Sequence, residues 1–255
     1  MMALSIQRHL LYAIGNLIIQ RYDTYVLIII IIIIIIIVII LIIITFIIKI
    51  PENERIVRYL DVGMGFGGLT VALAELYPNE LVLGMEIRAK VCEYVRLRIE
   101  ALRNEHPGKY QNAACLRTNC MRYLPNFFQK GQLHKIFFCF PDPHFKAKNH
   151  RRRIISTVLL SEYAHFLIPD GRLYTITDVE ELYKWHVEKC DNHPYYERIP
   201  DDEVLANDPA VNLIITETEE GKKVQRMGGK KYFAVYRRRH PSEIPAPHIL
   251  ELFKK

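Results

Sequence analysis

Four glycines stand in the six residues Gly63-Met64-Gly65-Phe66-Gly67-Gly68, just after a strand-like run (Arg55–Asp61) and just before a helix-like stretch from about Leu69 to Leu76. No other feature of the chain narrows its fold as much. Glycines at this density let the backbone turn sharply and approach a ligand closely, where a Cβ would clash. Set between a strand and a helix, such a turn belongs to an α/β sheet. Beyond it, apolar runs alternate with amphipathic stretches, the pattern of a parallel sheet wound with helices. Strands are predicted at Leu81–Glu86, Ala113–Leu116, Lys135–Phe140 and Arg172–Thr177, and helices over Arg88–Arg103, Ile154–Leu167 and Val179–Cys190. In the first of these helices Val91, Val95, Ile99 and Leu102 recur at helical spacing. Pro169-Asp170-Gly171 is a turn that closes the second. Asn212–Thr216 and Tyr232–Arg237 are predicted to pair as an antiparallel hairpin that closes the sheet.

The 255 residues suffice for one substantial domain and are too few for two large ones. They divide into an apolar N-terminal stretch (1–50), the α/β domain (51–240) and a tail (241–255). Val26–Ile48 is almost wholly aliphatic and holds ten consecutive isoleucines, Ile28 to Ile37. As a helix it would extend roughly 35 Å, a transmembrane length, and it is too long for a signal-peptide core. Near-pure isoleucine is also low-complexity sequence, and the flanking charge gives no orientation. A membrane anchor and an extension unrelated to the domain therefore both stand. Residues 1–50 carry +2 of the chain's net charge of +6, so partners must be argued from where charge sits rather than from its total. Five scattered cysteines with no C-x-x-C pair fit a reducing compartment and no zinc site.

Gly63-x-Gly65-x-x-Gly68 by itself also satisfies the dinucleotide fingerprint. Glu86 ends the second predicted strand, where a carboxylate can accept hydrogen bonds from two ribose hydroxyls; the competing reading is a solvated strand end. Both NAD and S-adenosylmethionine carry such a ribose, so Glu86 points to a nucleoside without choosing one. Asp61 favours the methyl donor. It opens the loop as D-x-G-x-G-x-G, and it can fix loop amides or the cationic methionine end.

The predicted strand Lys135–Phe140 runs into Phe140-Pro141-Asp142-Pro143-His144-Phe145-Lys146, on the sheet edge where ligands gather in doubly wound folds. Two prolines restrict Asp142 from both sides, and Phe140 and Phe145 offer stacking surfaces for a base. A proline-rich turn with a capping aspartate is the plainer alternative. The set D-V-G-x-G-F-G-G, L-G-x-E-I-R, L-P-N-F-F, F-P-D-P-H-F-K, R-I-I-S and T-E-E-G-K-K-V closely resembles the tRNA (guanine-N7-)-methyltransferase family in its eukaryotic form, from about Tyr59 to Arg239.

The resemblance implies a Rossmann-like class I methyltransferase with a mostly parallel, doubly wound sheet and a C-terminal antiparallel hairpin. It implies S-adenosyl-L-methionine as cofactor and N7 of a variable-loop guanosine in tRNA as target. Carried over by position, the cofactor site is Gly63, Glu86, Ile87, Arg88, Asn119, Cys120 and Cys139, closed by Thr218, Glu219 and Glu220, and Asp142 is the active-site aspartate. The family usually has alanine where Cys120 stands, and residues 1–50 match no part of its polar N-terminal segment. A nuclear location and a WD-repeat β-propeller subunit that helps hold the tRNA are also implied. Guanine N7 carries a free lone pair, so the reaction needs alignment rather than a strong base, and no metal.

Lys146, Lys148, His150, Arg151, Arg152 and Arg153 follow the Asp142 loop directly and are expected to pair with RNA phosphates. A solvated helix start or a nuclear-localisation run is the competing reading. Lys222, Lys223, Arg226, Lys230 and Lys231 form a second cluster, and Arg237, Arg238 and Arg239 a third. The face of Lys90, Arg96 and Arg103 is weaker, since exposed helices are commonly charged. Two other classes stay open: a NAD-dependent oxidoreductase, which would need a hydride-transfer residue in place of the Pro-Asp-Pro loop, and a tRNA-binding subunit without turnover.

Overall fold

The structure, a computed structural model, describes residues 56–244 and the single residue Ile29. The chain separates into two units, 1–54 and 55–255. Apart from Ile29, the apolar run 26–48 lies outside the described residues, as does most of the tail 241–255. Among the described residues no helix is long and apolar enough to cross a membrane.

One seven-stranded sheet organises the second unit. Its strands are β1 (Val57–Val62), β2 (Leu81–Glu86), β3 (Ala113–Arg117), β4 (Leu133–Cys139), β5 (Leu167–Thr177), β6 (Tyr196–Ile199) and β7 (Tyr232–Arg238), in the order β3-β2-β1-β4-β5-β7-β6. The first five pair in parallel, and β7 runs antiparallel to both β5 and β6. The chain leaves β1 toward β2 on one side, and β4 lies on the other. That reversal opens a crevice beyond the carboxyl ends of β1, β2 and β4.

Helices cover both faces, which is why the central strands read as continuous apolar runs rather than alternating ones. In β4, Phe137 packs into one core with Val95, Ile99, Val211 and Ile214, while Ile136 and Phe138 pack into the other with Leu160 and Tyr163. The first core is built under α1 (Gly68–Leu76), α2 (Ala89–Glu105) and α7 (Pro209–Thr216), and the second under α4 (Thr157–Phe166) and α5 (Glu180–Asp191). The short helices α3 (Cys120–Tyr123) and α6 (Asp201–Asn207) and the helix α8 (Glu219–Arg226) complete the set.

Three expectations change. Asn212–Thr216 is the end of helix α7, not a strand, so the antiparallel partner of β7 at the sheet edge is β6. The aliphatic run suggested a strand, but Asp208 and Pro209 start a helix there. The Asp208 carboxylate accepts the Ala210 N–H at 3.1 Å, and Pro209 occupies the first turn, where its missing N–H costs nothing. The second predicted helix begins at Thr157 rather than Ile154, because the Ser156 hydroxyl caps it by accepting from the Leu159 N–H. Pro169-Asp170-Gly171, read as a turn after that helix, already belongs to β5, as does Leu167, read as the helix's last residue.

Candidate active site

At Gly63 the chain leaves β1 in a left-handed conformation, φ +72°, that a residue with a side chain rarely adopts. Its N–H and that of Met64 both donate to the Met85 carbonyl, at 2.8 and 3.1 Å, which pins the glycine loop to β2. A Cβ built on Gly63 would meet no protein atom within 4 Å and would stand in open space. That space is a cleft of about 580 Å³ bounded by the ends of β1, β2 and β4.

The predicted cofactor residues converge on it. Glu86, Ile87 and Arg88 line it from β2 and the turn that follows, Asn119 and Cys120 from the start of α3, and Cys139 from the end of β4. Glu220 lines it from α8 and also borders a smaller cavity of about 120 Å³ behind the glycine loop, together with Asp61, Thr218 and Glu219. Thr118, Met121 and Ile154 line the main cleft as well, and sequence reasoning missed them. No local signal marks Thr118 or Met121, and Ile154 stands in the R-I-I-S motif without its spacing pointing to a cleft; they face it because of where their loops cross the sheet edge.

Glu86 is buried, and Arg88 holds it: the backbone N–H donates at 2.9 Å, Nε at 3.1 Å and Nη2 at 3.0 Å. Burial alone would raise the Glu86 pKa, but these bonds outweigh it and keep the carboxyl below its usual range. The Arg88 side chain is 60% exposed, so ligand hydroxyls can take its place on the carboxylate. Asp61 is the opposite case. Burial pushes its pKa up to about 7; the Thr70 hydroxyl, donating at 2.7 Å, offsets part of this, and Glu219 and Glu86 push the same way as burial. No cation pairs with Asp61 among the described residues. The crevice is therefore acidic, and it favours a ligand carrying positive charge.

Asp142 lies on the same cleft as Gly63 and Glu86. Its Oδ1 accepts the His144 N–H at 3.0 Å, and the His144 ring lies 3.6 Å away. Phe140 (φ +49°) and His144 (φ +45°) sit in left-handed backbone on either side of it. Such residues cost of order 1–3 kcal/mol each and persist only where the surroundings impose them, a pattern concentrated at functional sites.

The basic residues separate. Lys146, Lys148, Arg151 and Arg152 are exposed around the short helix Ala147–Arg152, and none forms an ion pair among the described residues. Arg152 lines the cleft itself. Arg153, expected on the RNA, is 1% exposed and inside the fold. It donates to the Pro143 carbonyl at 2.9 Å and to Glu181 at 2.7 Å, and it lies 4.8 Å over the Trp185 ring. Lys222 and Lys223 pair with Glu217 and Glu220. The third cluster is structural: Arg237 pairs with Asp170, Glu197 and Glu243, while Arg238 and Arg239 donate to the carbonyls of Leu167 and Tyr196. Arg96 and Arg103 are likewise engaged within their own surroundings.

Residues 55–234 match a family model described as "Putative methyltransferase". A tRNA (guanine-N(7)-)-methyltransferase of Schizosaccharomyces pombe is 54% identical over 202 residues, covering 77% of this chain and 72% of the relative. The one from Danio rerio is 56% identical over 182 residues, 71% of this chain and 75% of the relative. For that of Dictyostelium discoideum the identity is 55% over 186 residues, 73% of this chain; there the chain spans 66% of the relative's length, just under two thirds. Among solved structures, the 16S rRNA methyltransferase KamB superposes with a TM-score of 0.50 at 15% identity, over 74% of this chain and 91% of that one. That likeness shows the fold alone.

Proposed function

This chain belongs to the tRNA (guanine-N(7)-)-methyltransferase family, and from that premise we propose that it methylates N7 of a variable-loop guanosine in tRNA, with Asp142 as its catalytic residue. The observation that carries the reading is that Asp142, in its strained loop, faces the same cleft as the open cradle at Gly63 and the buried carboxylate of Glu86.

S-adenosyl-L-methionine fits this crevice: Gly63 leaves room where a Cβ would intrude, Glu86 offers both oxygens at a strand end, and the acidic surround suits a cation. When bound, it supplies an electrophilic methyl group. Glu86 would hold the ribose, Asn119, Cys120 and Cys139 would border the donor, and Thr218 and Glu220 would close it from the C-terminal side. Because N7 needs no deprotonation, the protein's part is to hold the purine in line at near-attack distance and to stabilise the charge that develops on it. Asp142 does this by accepting hydrogen bonds from the guanine edge; Oδ1 is engaged by His144, and Oδ2 makes no hydrogen bond among the described residues. Phe145, 66% exposed, supplies a face on which the base can stack. Lys146, Lys148, Arg151 and Arg152 take the neighbouring phosphates.

The reading extends to a WD-repeat β-propeller subunit and a nuclear location. What supports a partner is an exposed apolar side chain, Val158, one helical turn from Glu162, whose Oε1 is buried with no hydrogen bond among the described residues. Co-purification from nuclear extract, lost on Glu162→Ala, tests both together.

The deciding experiment measures transfer of labelled methyl to tRNA, with cleavage at N7-methylguanosine as the readout. Asp142→Ala should lower transfer by about a hundredfold or more while leaving affinity for S-adenosylhomocysteine within about threefold. A large loss of that affinity would reassign Asp142 to the donor.

A further inference from the structure

We propose that Arg98 and Glu219 form a latch that seats the segment Thr218–Gly221 on the glycine loop, which makes Arg98 a positioning residue for the methyl-donor site. This rests on the donor site described above. Arg98 itself lines neither cavity.

Three features of the packing converge. First, α8 is weakly held by apolar contact, with only Gly221 and Val224 buried. Its ion pairs Glu217–Lys222 and Glu220–Lys223 lie within or beside the helix and do not tie it to the rest of the domain. Second, Arg98, from the middle of α2, reaches across with Nη1. It donates to the Glu219 carboxylate at 2.8 Å and to the Phe66 carbonyl, inside the glycine loop, at 2.8 Å. Among the described residues it is the one charged side chain from outside 217–226 that ion-pairs with that segment. The other carboxylate oxygen of Glu219 accepts the Gly68 N–H, at 3.3 Å, at the start of α1. One guanidinium and one carboxylate thus join α2, the glycine loop and α8.

Third, the approach at Gly68 leaves no room. A Cβ there would come within 2.2 Å of the Glu217 carbonyl oxygen and within 2.8 and 2.9 Å of the two Glu219 carboxylate oxygens, closer than such atoms can stand. Gly68 carries no left-handed backbone angle, so the glycine is required by what lies on top of it. The last glycine of the loop serves the latch rather than the turn. Seating this segment sets where Glu220 stands on the donor cleft and where Thr218 caps α8, its hydroxyl accepting from the Gly221 N–H at 3.0 Å.

The test uses the full chain and two readouts: calorimetric binding of S-adenosylhomocysteine, and hydrogen exchange of amides 217–226 in the unliganded protein. Arg98→Gln should weaken binding about tenfold and speed exchange across the segment, with kcat at saturating donor within about twofold. Arg98→Lys, which can still reach one of the two acceptors, should recover part of both. Gly68→Ala should reproduce the weaker binding and faster exchange of Arg98→Gln by sterics alone, and Glu219→Gln should reproduce the faster exchange by loss of charge. If Arg98→Gln and Gly68→Ala both bind and exchange as the wild type does, the latch is wrong. If the wild type itself fails to bind S-adenosylhomocysteine, the donor site is wrong, while the exchange comparison still decides the latch.

Discussion

Asp61 is held against its own chemistry. Its carboxyl is fully buried at the end of β1, with the Thr70 hydroxyl as its hydrogen-bond donor and two acidic neighbours, so its pKa rises to about 7. In the unfolded chain the same group ionises near ~4. Folding therefore favours the neutral acid. That contribution is complete below about pH 4 and is lost as pH rises through about 7. Measured against Asp61→Asn, the unliganded wild type should therefore lose thermal stability between about pH 4 and 7. A cation bound beside Asp61 would favour the charged form, so donor affinity should rise with pH up to about 7 in the wild type and not in the variant. An asparagine variant with wild-type slopes in both measurements would show that Asp61 does not titrate there. His186 acts on the other flank. Burial pushes its pKa down to about 3, with Arg153 pushing the same way, so the stability it lends is present above about pH 6.5 and is lost on acidification toward 3.

At the scale of elements, the Asp142 loop is shaped from beneath. Arg153 enters the fold directly after the exposed basic run and donates to the Pro143 carbonyl, while Trp185 and Glu181 of α5 fix its guanidinium. Trp185 is itself anchored, its indole N–H donating to the Ile155 carbonyl at 2.7 Å. The loop with two left-handed non-glycine residues is thus held to a helix on the far side of the sheet edge. A lysine at 153 keeps the charge but lacks the planar fork that serves both partners. Arg153→Lys should lower turnover roughly tenfold with S-adenosylhomocysteine affinity unchanged, since a small misplacement of an aligned group is costly. Equal losses in binding and turnover would argue instead for general loosening of the domain.

For the molecule as a whole, net charge misleads and placement decides. Of the basic clusters, the one at Lys146–Arg152 keeps its charges exposed beside the cleft, while Arg153 and Arg237–Arg239 are drawn into the fold. Affinity for tRNA should therefore depend on salt mainly through that run. Replacing Arg151 and Arg152 together by glutamine should flatten the slope of log K against log salt by roughly 1.4, at about 0.7 per phosphate contact. Replacing Arg237 should destabilise the protein and leave the slope alone. The opposite pattern would place the RNA on the β6–β7 edge.

Periodicity and glycine spacing determined the strand–loop–helix order, the parallel centre of the sheet and the two loops that build the cleft, because those depend on local backbone preference and on burial of both sheet faces. The family motifs carried Glu86 and Asp142 to their positions for the same reason: Glu86 ends β2 and Asp142 stands in the loop that leaves β4, and strand ends in such a sheet share one edge. Side-chain fate was not legible in that way. Whether an arginine in a run of three meets solvent or a buried tryptophan, as Arg151 and Arg153 do, depends on which element packs behind it. Whether Asn212–Thr216 is strand or helix turns on a cap and on a core more than a hundred residues away in sequence. The role of Gly68 appears only once Glu217 and Glu219 have been folded back onto it. These are contacts between distant parts of the chain, and only the tertiary structure brings them together.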